Sequence, residues 1–591
     1  MRKVGGTGTV RQVKLAEALT ITKMAPSGGA DFPVLLACGF TPLHLLHYLA
    51  AHLQKALPER KVRVETGLYD DVCGTLEQFS QRFSNEPGQT CALALEWPDL
   101  DPRLGYRQLG GWGRRVEASI LESVQAKLAR IQAALTSAPA SSKIALSLPT
   151  LPLPPGFHTA GWQASAAELA LREAVQRFAA EMVLRPGVAI VNAQRLDMVS
   201  PPHSRYDFRS DLHAGFPYTI AHADALGAAL AALMEPPAPK KGLITDLDDT
   251  FWSGIVGEDG HENVSWDLAG HSQIHGLYQQ MLHTLADHGV LIGMATKNSP
   301  EIAEKGLARP DLAIPREKIF PIEVHWEPKS GSVARILKTW NISADSVVFV
   351  DDSAMELEEV RLAHPGIECI QFPKSDYAAG LALLDRIRDL FGKPRLSDED
   401  TYRLESIRQA QHFAVSNGTA ASPEQFLAHV DAEITFEFNP PASDARVVEL
   451  VNKTNQFNLN GIRYSDAEWH ASLRRPGSFA LAVSYRDQFG PLGKIAVLKG
   501  CSEGRQIHIE TWVMSCRAFS RRIEQQTLAQ IFHRFEAAEI VFDFKPTPKN
   551  KPIHDFLSGL LDCVPDPEAV LAKELFETKC PKLYHKVDVH G

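Results

Sequence analysis

Short apolar runs alternate with amphipathic helical stretches over most of the first 372 residues. The runs before residue 235 are FPVLLACGF, KVRVETGLY, TCALALEW, SKIALSLP and VAIVNA. Those between residues 242 and 372 are GLITDL, GVLIGMAT, KIFPIEV, SVVFVDDS and IECIQF. Strands that alternate with helices predict a parallel sheet covered by helices on both faces. We therefore expect two α/β sheets.

The last part of the chain has a different pattern. Its strand-like runs are ITFEF, FALAVSYRD, GKIAVLKG, IHIETWVMS and AEIVFDF, and their periods are mixed. Few helical stretches separate them, and the clearest runs from Arg522 to Ala538. Strands that follow one another with few helices predict an α+β fold.

Two breaks divide the 591 residues into three predicted domains. A single core stops growing at about 250–300 residues, so this chain needs more than one. MEPPAPKKG (234–242) has three prolines in four residues and predicts an extended linker. FGKPRLSDED (391–400) is a softer break between two helical patterns. We expect an α/β domain over 1–235, a second over 240–395 and an α+β domain over 400–591.

Charge and cysteine usage argue against several classes of protein. The net charge is -10 and no block is rich in Lys and Arg, which argues against a nucleic-acid partner. The eight cysteines are scattered without a CxxC pair, so no zinc site is expected. We find neither a signal-peptide core nor an apolar run of about 18 residues. We therefore expect a cytoplasmic protein without a membrane partner.

Acidic residues stand where two of the predicted parallel strands end. Asp246 lies near the end of GLITDL and Asp248 directly follows that run. Asp351 and Asp352 follow the apolar part of SVVFVDDS. Ligands bind at the carboxyl ends of strands in an open parallel sheet. Asp246 and Asp248 can face one point there, and hard oxygen ligands suit Mg²⁺, which removes their repulsion. A single Asp-x-Asp after a strand also occurs as a helix N-cap and turn.

Further polar residues follow the strands between the two acid pairs. GVLIGMATKN ends on Thr296, Lys297 and Asn298, and Lys329 follows in HWEPKSG. The order acid pair, hydroxyl, lysine, acid pair argues against chance. Because these polar residues follow one another in this order, the segment 242–392 resembles the haloacid dehalogenase (HAD) phosphatase superfamily.

The resemblance implies the chemistry of the site. Asp246 would be the nucleophile that forms an aspartyl-phosphate, and Asp248 would be the general acid/base. The phosphoryl oxygens would be bound by Thr296, Lys297, Asn298 and Lys329. The Mg²⁺ ligands would be Asp246, Asp248, Asp351 and Asp352.

The surroundings of these residues suggest an open site. Asp249 is predicted to be a solvated turn residue outside the site. The gap between Thr250 and Thr296 is too short for a large cap domain. An open site suits a substrate that a macromolecule presents.

Separated stretches also resemble the FkbH-like branch of that superfamily. DLDDTFWSGIVGEDG (246–260) is similar to the pattern DLDNTLWGGVVGEDG, and ATKNS and VFVDDSAMELEEV are similar to its later motifs. VVELVNKTNQFNLNGIRY (447–464) and WVMSCRAFSRRIE (512–524) match the same branch. The resemblance covers residues 240–560, and longer members also carry an N-terminal α/β region.

This branch implies glyceryl transfer to an acyl carrier protein. The donor would be 1,3-bisphosphoglycerate, whose acyl group is captured as a thioester, dephosphorylated and passed to the phosphopantetheine thiol of the carrier. Cys516 is the candidate for acyl capture, because a helix N-terminus and Arg517 beside it would lower its pKa. The alternative is that Cys516 is a buried small apolar residue.

Residues 400–591 also resemble an N-acetyltransferase (GNAT) fold. That fold cradles coenzyme A with R-x-x-G-x-G/A, whereas this chain has RAFSRR, with Ser520 and Arg522 at the glycine positions. The departure argues against ordinary acetyl-CoA use and leaves docking of a phosphopantetheine arm. The candidates for binding an acyl group or a pantetheine amide are Asn452, Thr454, Asn455 and Gln456. A capped helix end and a loop also explain this amide-rich stretch.

Residues 1–235 resemble an SGNH-hydrolase-like fold that lacks its nucleophile. ACGFTPLHLL has no serine where the nucleophile is expected. SDLHAGFPYTIAHADAL contains His213, but the histidine has no nucleophile to act on. We expect a non-catalytic domain for packing or carrier docking.

Three functions therefore stay open. The first is an FkbH-like, Mg²⁺-dependent glyceryltransferase/phosphatase. The second is a plain HAD phosphatase acting on a phosphorylated small molecule or a carrier-bound intermediate. The third is a non-catalytic scaffold that binds carrier proteins, against which the complete set of site residues argues.

Overall fold

The computed structural model describes most of the chain. The described residues are 13–24, 26, 29–82, 89–111, 113–139, 142–154, 160–374, 376–393, 431–441, 444–487, 490–515, 518, 521–547, 550–561, 565 and 569–591. They contain three sheets and divide into two compact units. One unit holds the first sheet and the other holds the second and third, so the predicted three-domain division stays a prediction.

The first sheet is parallel throughout and has the order β2-β1-β3-β4-β5. Its strands are β1 (Asp31–Ala37), β2 (Lys61–Thr66), β3 (Thr90–Ala94), β4 (Lys143–Ser147) and β5 (Val188–Ile190). The helices of this unit are Leu15–Lys23, Leu43–Ala56, Val72–Arg82, Trp97–Leu100, Glu117–Ser137, Ala166–Met182, Ala193–Val199, Phe208–Ala214 and Ile220–Met234. Alternate strand residues enter two separate cores, one on each face. The predicted strands and the covered parallel sheet are confirmed.

The second sheet is also parallel and has the order β10-β9-β6-β7-β8. Its strands are β6 (Gly242–Thr245), β7 (Leu291–Thr296), β8 (Ile319–Val324), β9 (Val347–Asp351) and β10 (Glu368–Gln371). Its helices are Val256–Asp259, Gln273–Asp287, Pro300–Leu307, Lys329–Trp340, Ala354–Ala363 and Tyr377–Phe391. Its two faces also pack into separate cores. Since β6 is the central strand, the residues after it stand in the middle of the carboxyl edge.

The third sheet is mixed and has the order β17-β16-β15-β14-β13-β11-β18, with β12 paired to β15. Its strands are β11 (Glu433–Phe438), β12 (Phe457–Asn458), β13 (Ser478–Asp487), β14 (Gly490–Glu503), β15 (Gln506–Met514), β16 (Glu539–Phe542), β17 (Ala569–Ala572) and β18 (Lys586–His590). Its helices are Ala445–Lys453, Asp466–Leu473, Ile523–Arg534, Lys551–Leu561 and Lys573–Lys579. Most pairs are antiparallel, whereas β15–β16 and β11–β18 are parallel. The helix predicted from Arg522 to Ala538 is observed at Ile523–Arg534, so it ends four residues earlier than predicted.

Within the described part of the chain, no helix is both long enough and apolar enough to cross a membrane.

Candidate active site

Three carboxylates meet at the carboxyl edge of the second sheet. Asp246 follows β6, Asp351 ends β9, and Asp352 is the next residue. One oxygen of each lies within 4.8 Å of an oxygen of each of the others. Asp246 and Asp351 are 5% and 0% exposed. The structure thus brings together three of the four predicted metal ligands, which we call the carboxylate cluster.

Burial makes the charged forms of these acids costly. It raises the pKa of Asp246, opposed by Lys329 and reinforced by the neighbouring Asp351 carboxylate. It also raises the pKa of Asp351, again against the attraction of Lys329. A bound cation favours the charged forms and would lower both pKa values. Oxygen donors in this arrangement fit a hard divalent cation.

Lys329 supplies positive charge to the carboxylate cluster. It is the first residue of the helix Lys329–Trp340, and its side chain is 4% exposed. Its Nζ lies 2.7 Å from Asp246 Oδ1 and 2.6 Å from Asp351 Oδ2, and it also contacts Glu356 Oε2. One lysine therefore holds carboxylates from three different parts of the chain.

Glu356 is a site residue that the sequence analysis missed. It lies in the first turn of the helix Ala354–Ala363, whose N-cap Ser353 accepts a hydrogen bond from Glu356 N. Its Oε1 lies 3.0 Å from Lys297 Nζ, while Oε2 contacts Lys329. One carboxylate therefore joins both predicted phosphate-binding lysines. The available signal was an acid one helical turn after the second acid pair.

Asp248 lies outside the carboxylate cluster and has donors of its own. Its Oδ1 accepts hydrogen bonds from Trp252 Nε1 at 2.9 Å and from Val256 N at 3.0 Å. Its Oδ2 accepts one from Asn298 Nδ2 at 2.8 Å. Each carboxylate oxygen has two acceptor positions. Two donors from the described residues fill both acceptor positions of Oδ1. One donor fills a single acceptor position of Oδ2, and the other position can take a proton.

The loop after β7 brings the other predicted phosphate-binding residues to the same edge. Thr296 and Asn298 are both 3% exposed, and Asn298 Nδ2 donates to Thr296 Oγ1 at 3.1 Å as well as to Asp248. Lys297 is more accessible, with 32% of its side chain exposed. Asn298 therefore links the hydroxyl of Thr296 to Asp248.

Asp249 lies in a turn as predicted, but its carboxylate is paired with a lysine. Its φ of 51° is left-handed, and its Oδ1 accepts a hydrogen bond from Gly254 N at 3.0 Å. Its Oδ2 lies 2.8 Å from Nζ of Lys374, which is also 2.6 Å from Asp352 Oδ2. Lys374, in the loop after β10, is a second residue that the sequence analysis missed.

Buried groups support the turn that carries Asp246. Thr245 Oγ1 donates to the carbonyl oxygen of Asp246 at 2.8 Å and accepts a hydrogen bond from Tyr278 OH at 3.1 Å. Trp252, which is fully buried, stacks on Trp266 with 6.3 Å between ring centroids. The turn is thus held by hydrogen bonds at its start and by aromatic packing at its end.

The predicted acyl-binding residues make local contacts. Asn452 Nδ2 donates to Tyr464 O at 2.7 Å, and its Oδ1 accepts a hydrogen bond from Tyr464 N at 2.9 Å. Asn455 Oδ1 accepts a hydrogen bond from Arg463. The partly buried neighbours in this stretch are Thr454 and Gln456. These contacts favour the alternative interpretation, in which the amides hold a helix end and a loop.

Cys516, Arg517 and Ser520 lie outside the described residues, so their predicted roles stay predictions. At the other glycine position, Arg522 has a φ of 58° and its NH1 donates to Lys582 O at 2.8 Å. The side chain of Arg522 is therefore engaged by backbone of the same unit.

His213 stands apart from the acid nearest to it in the sequence. That histidine is exposed on the helix Phe208–Ala214. Asp211, two residues earlier, instead accepts a hydrogen bond from Tyr206 OH at 2.7 Å. The expectation of a non-catalytic domain stays a prediction.

Comparisons with known proteins bear on the fold. No protein-family model and no curated protein matches the chain. Among solved structures, the chain is similar to the N-terminal part of the protein BF1531 from Bacteroides fragilis, which contains a phosphatase domain and was crystallised in complex with Mg. The TM-score is 0.50 at 18% identity, and the match covers 65% of this chain and 100% of that one. This likeness shows a shared fold.

Proposed function

We propose that the second sheet carries a Mg²⁺-dependent phosphatase site of the HAD type that works through an aspartyl-phosphate on Asp246. The observation that carries the proposal is the carboxylate cluster of Asp246, Asp351 and Asp352, with Lys329 bound to two of its members. Its position at the carboxyl edge of a parallel sheet and the Mg complex of BF1531 support the proposal.

Asp246 begins the reaction in this proposal. A carboxylate oxygen of Asp246 attacks the phosphorus of a phosphomonoester, the bond from phosphorus to the leaving oxygen breaks, and Asp248 gives that oxygen a proton. The buried Lys329 and the hydroxyl of Thr296 bind phosphoryl oxygens. Charge neutralisation and in-line positioning dominate the barrier of such transfers.

Water completes the reaction. Asp248, now ionised, accepts a proton through Oδ2 from a water molecule that attacks the phosphorus. The bond between phosphorus and Asp246 breaks, and inorganic phosphate leaves. Trp252 and Val256 hold Oδ1 of Asp248, so that Oδ2 faces both proton transfers in one orientation.

Asp246, Asp351 and Asp352 would hold the Mg²⁺. When bound, the ion would neutralise charge on the phosphoryl group. Water and substrate oxygens would complete its coordination, as is usual for this ion.

The test is phosphate release from p-nitrophenyl phosphate by the full chain with Mg²⁺. Asp246→Asn should abolish turnover, and hydroxylamine should convert Asp246 of the wild type into a hydroxamate during turnover. Asp311→Asn is the matched control, because Asp311 is an ion-paired carboxylate of the same domain outside the site. Equal turnover by Asp246→Asn and Asp311→Asn would contradict the proposal.

The FkbH-like resemblance extends this proposal to glyceryl transfer. The chain would capture a glyceryl unit from 1,3-bisphosphoglycerate on Cys516, remove its phosphate at Asp246 and load it on an acyl carrier protein. The support is the set of sequence stretches that resemble that branch. The plain phosphatase remains the second candidate, because it needs the residues of the second sheet and no acyl capture on Cys516.

Mass spectrometry of the intact carrier separates the two functions. A phosphopantetheinylated carrier incubated with the enzyme, Mg²⁺ and a 1,3-bisphosphoglycerate-generating mixture should gain a glyceryl group. Asp246→Asn should give a phosphoglyceryl adduct or none, and Cys516→Ala should give no adduct while it retains phosphatase activity. Phosphate release from p-nitrophenyl phosphate without any carrier adduct would favour the plain phosphatase.

A further inference from the structure

Lys374 has no part in the proposed reaction, yet it contacts the carboxylate cluster. It follows β10 in the chain, and half of its side chain is exposed. Its Nζ lies 2.6 Å from Asp352 Oδ2 and 2.8 Å from Asp249 Oδ2. The lysine therefore connects one cluster acid to an acid outside the cluster.

Both partners of Lys374 are fixed by other bonds. Asp249 N donates to Gly254 O at 3.2 Å, and Asp249 Oδ1 accepts a hydrogen bond from Gly254 N at 3.0 Å. The carbonyl oxygen of Asp352 accepts a hydrogen bond from Gln371 Nε2 at 2.9 Å. The carboxylate of Asp249 and the backbone of Asp352 are thus held in place. The two carboxylates converge on one cation, and they would repel each other without it.

The charges of the site divide into two groups. Asp246, Asp351 and Glu356 share Lys329, and Glu356 also pairs with Lys297. Asp352 does not belong to that group and depends on Lys374. A divalent cation in the carboxylate cluster would neutralise Asp352 in the same way as the lysine does.

We propose that Lys374 is a resident countercharge of the metal site, which stabilises the metal-free cluster and weakens its affinity for the divalent cation. The proposal rests on the proposed function, because it assumes that the carboxylate cluster binds Mg²⁺. Lys374 is a positioning residue, and its effect passes through Asp352.

The size of the effect follows from charge and exposure. A dication and an ammonium group that share one carboxylate repel each other, and the repulsion is reduced because the lysine is half exposed to water. Loss of the ammonium charge should therefore tighten Mg²⁺ binding on the order of tenfold. The metal-free protein should lose stability, because Asp249 and Asp352 then face each other unneutralised.

The experiment measures Mg²⁺ binding without substrate. The full-length wild type and Lys374→Met are titrated with MgCl₂ by calorimetry, and their thermal unfolding is followed in EDTA and at each Mg²⁺ concentration. Lys374→Met should bind Mg²⁺ about tenfold more tightly and unfold at a lower temperature in EDTA. Lys374→Arg keeps the charge and should match the wild type.

Lys318→Met is the matched control. Lys318 pairs with Asp287 on the same domain outside the site, so its loss should leave Mg²⁺ affinity unchanged. Equal or weaker Mg²⁺ binding by Lys374→Met would overturn the inference and leave the phosphatase proposal standing. If the wild type does not bind Mg²⁺, both the inference and the phosphatase proposal are overturned. Asp351→Asn removes one acid of the carboxylate cluster and should lose Mg²⁺ binding if that cluster is the metal site.

Discussion

Replacement of Trp252 by phenylalanine tests whether the turn after β6 aligns Asp248. The indole Nε1 of Trp252 donates to Asp248 Oδ1 at 2.9 Å, and the ring is fully buried against Trp266. Phenylalanine keeps an aromatic ring in the core but removes this donor. Asp248 then keeps two donors, Val256 N and Asn298 Nδ2.

The structure sets the expected magnitude for Trp252→Phe. Loss of a hydrogen bond costs about 0.5–1.5 kcal/mol, and the void left by the smaller ring adds about 1 kcal/mol. The free energy of unfolding should therefore fall by about 1.5–2.5 kcal/mol. Because Asp248 becomes less well oriented, kcat should fall roughly 10- to 100-fold.

Trp266→Phe gives the matched comparison. The indole of Trp266 donates to the carbonyl oxygen of Asp311 at 3.2 Å instead of to Asp248. The assays are p-nitrophenyl phosphate turnover with saturating Mg²⁺ and denaturant unfolding for each variant. Trp266→Phe should lower stability by about 1.5–2.5 kcal/mol and leave kcat within about twofold of the wild type. Equal values of kcat in the two variants would refute the reasoning.

Three further predictions concern other parts of the chain. Asn298→Ala removes the donor that joins Asp248 to Thr296, so kcat should fall roughly 10-fold with little change in KM, as measured by steady-state kinetics. Gly306→Ala places a methyl group 2.5 Å from the ring of Trp252 and should lower the free energy of unfolding by about 1–3 kcal/mol; a denaturant midpoint equal to that of the wild type would contradict this. Burial lowers the pKa of His222 to about 3, so the stability that its neutral form confers is full above pH 6.5 and is lost as the pH falls toward 3. The stability difference between the wild type and His222→Gln should therefore be about 2 kcal/mol smaller at pH 5 than at pH 7, measured by denaturant unfolding, and an equal difference at both values would contradict the assignment.

The parallel sheets were predictable because their inner strands, such as β3, β6 and β7, are buried on both faces. Such strands are continuous apolar runs, and every run predicted for the first two sheets forms a strand. The third sheet was predicted less completely. Phe457–Asn458 is only two residues long, Ala569–Ala572 is short, and Lys586–His590 is exposed along its whole length. None of the three is a long, fully buried apolar run of the kind that marks the inner parallel strands.

The site was predictable where strand ends determine its geometry. Asp246, Thr296 and Asp351 come together because parallel strands end at one edge. Glu356 and Lys374 belong to a helix and a loop whose placement depends on packing, so sequence spacing could not assign their partners. Asp248 lies three residues beyond β6, and the direction of its side chain depends on the burial of Trp252.

The connectivity of the second sheet has a consequence for folding during synthesis. Its central strand β6 is followed directly by Asp246, yet its neighbours β7 and β9 begin 49 and 105 residues later in the chain (291 and 347 against 242). Loop closure must precede such contacts, which makes parallel sheets slow to form. At about 5–20 residues per second, translation from Asp246 to Lys374 takes roughly 6–26 seconds. A nascent chain therefore holds Asp246 apart from the other two acids of the carboxylate cluster for most of that time, and the cluster forms late and all at once.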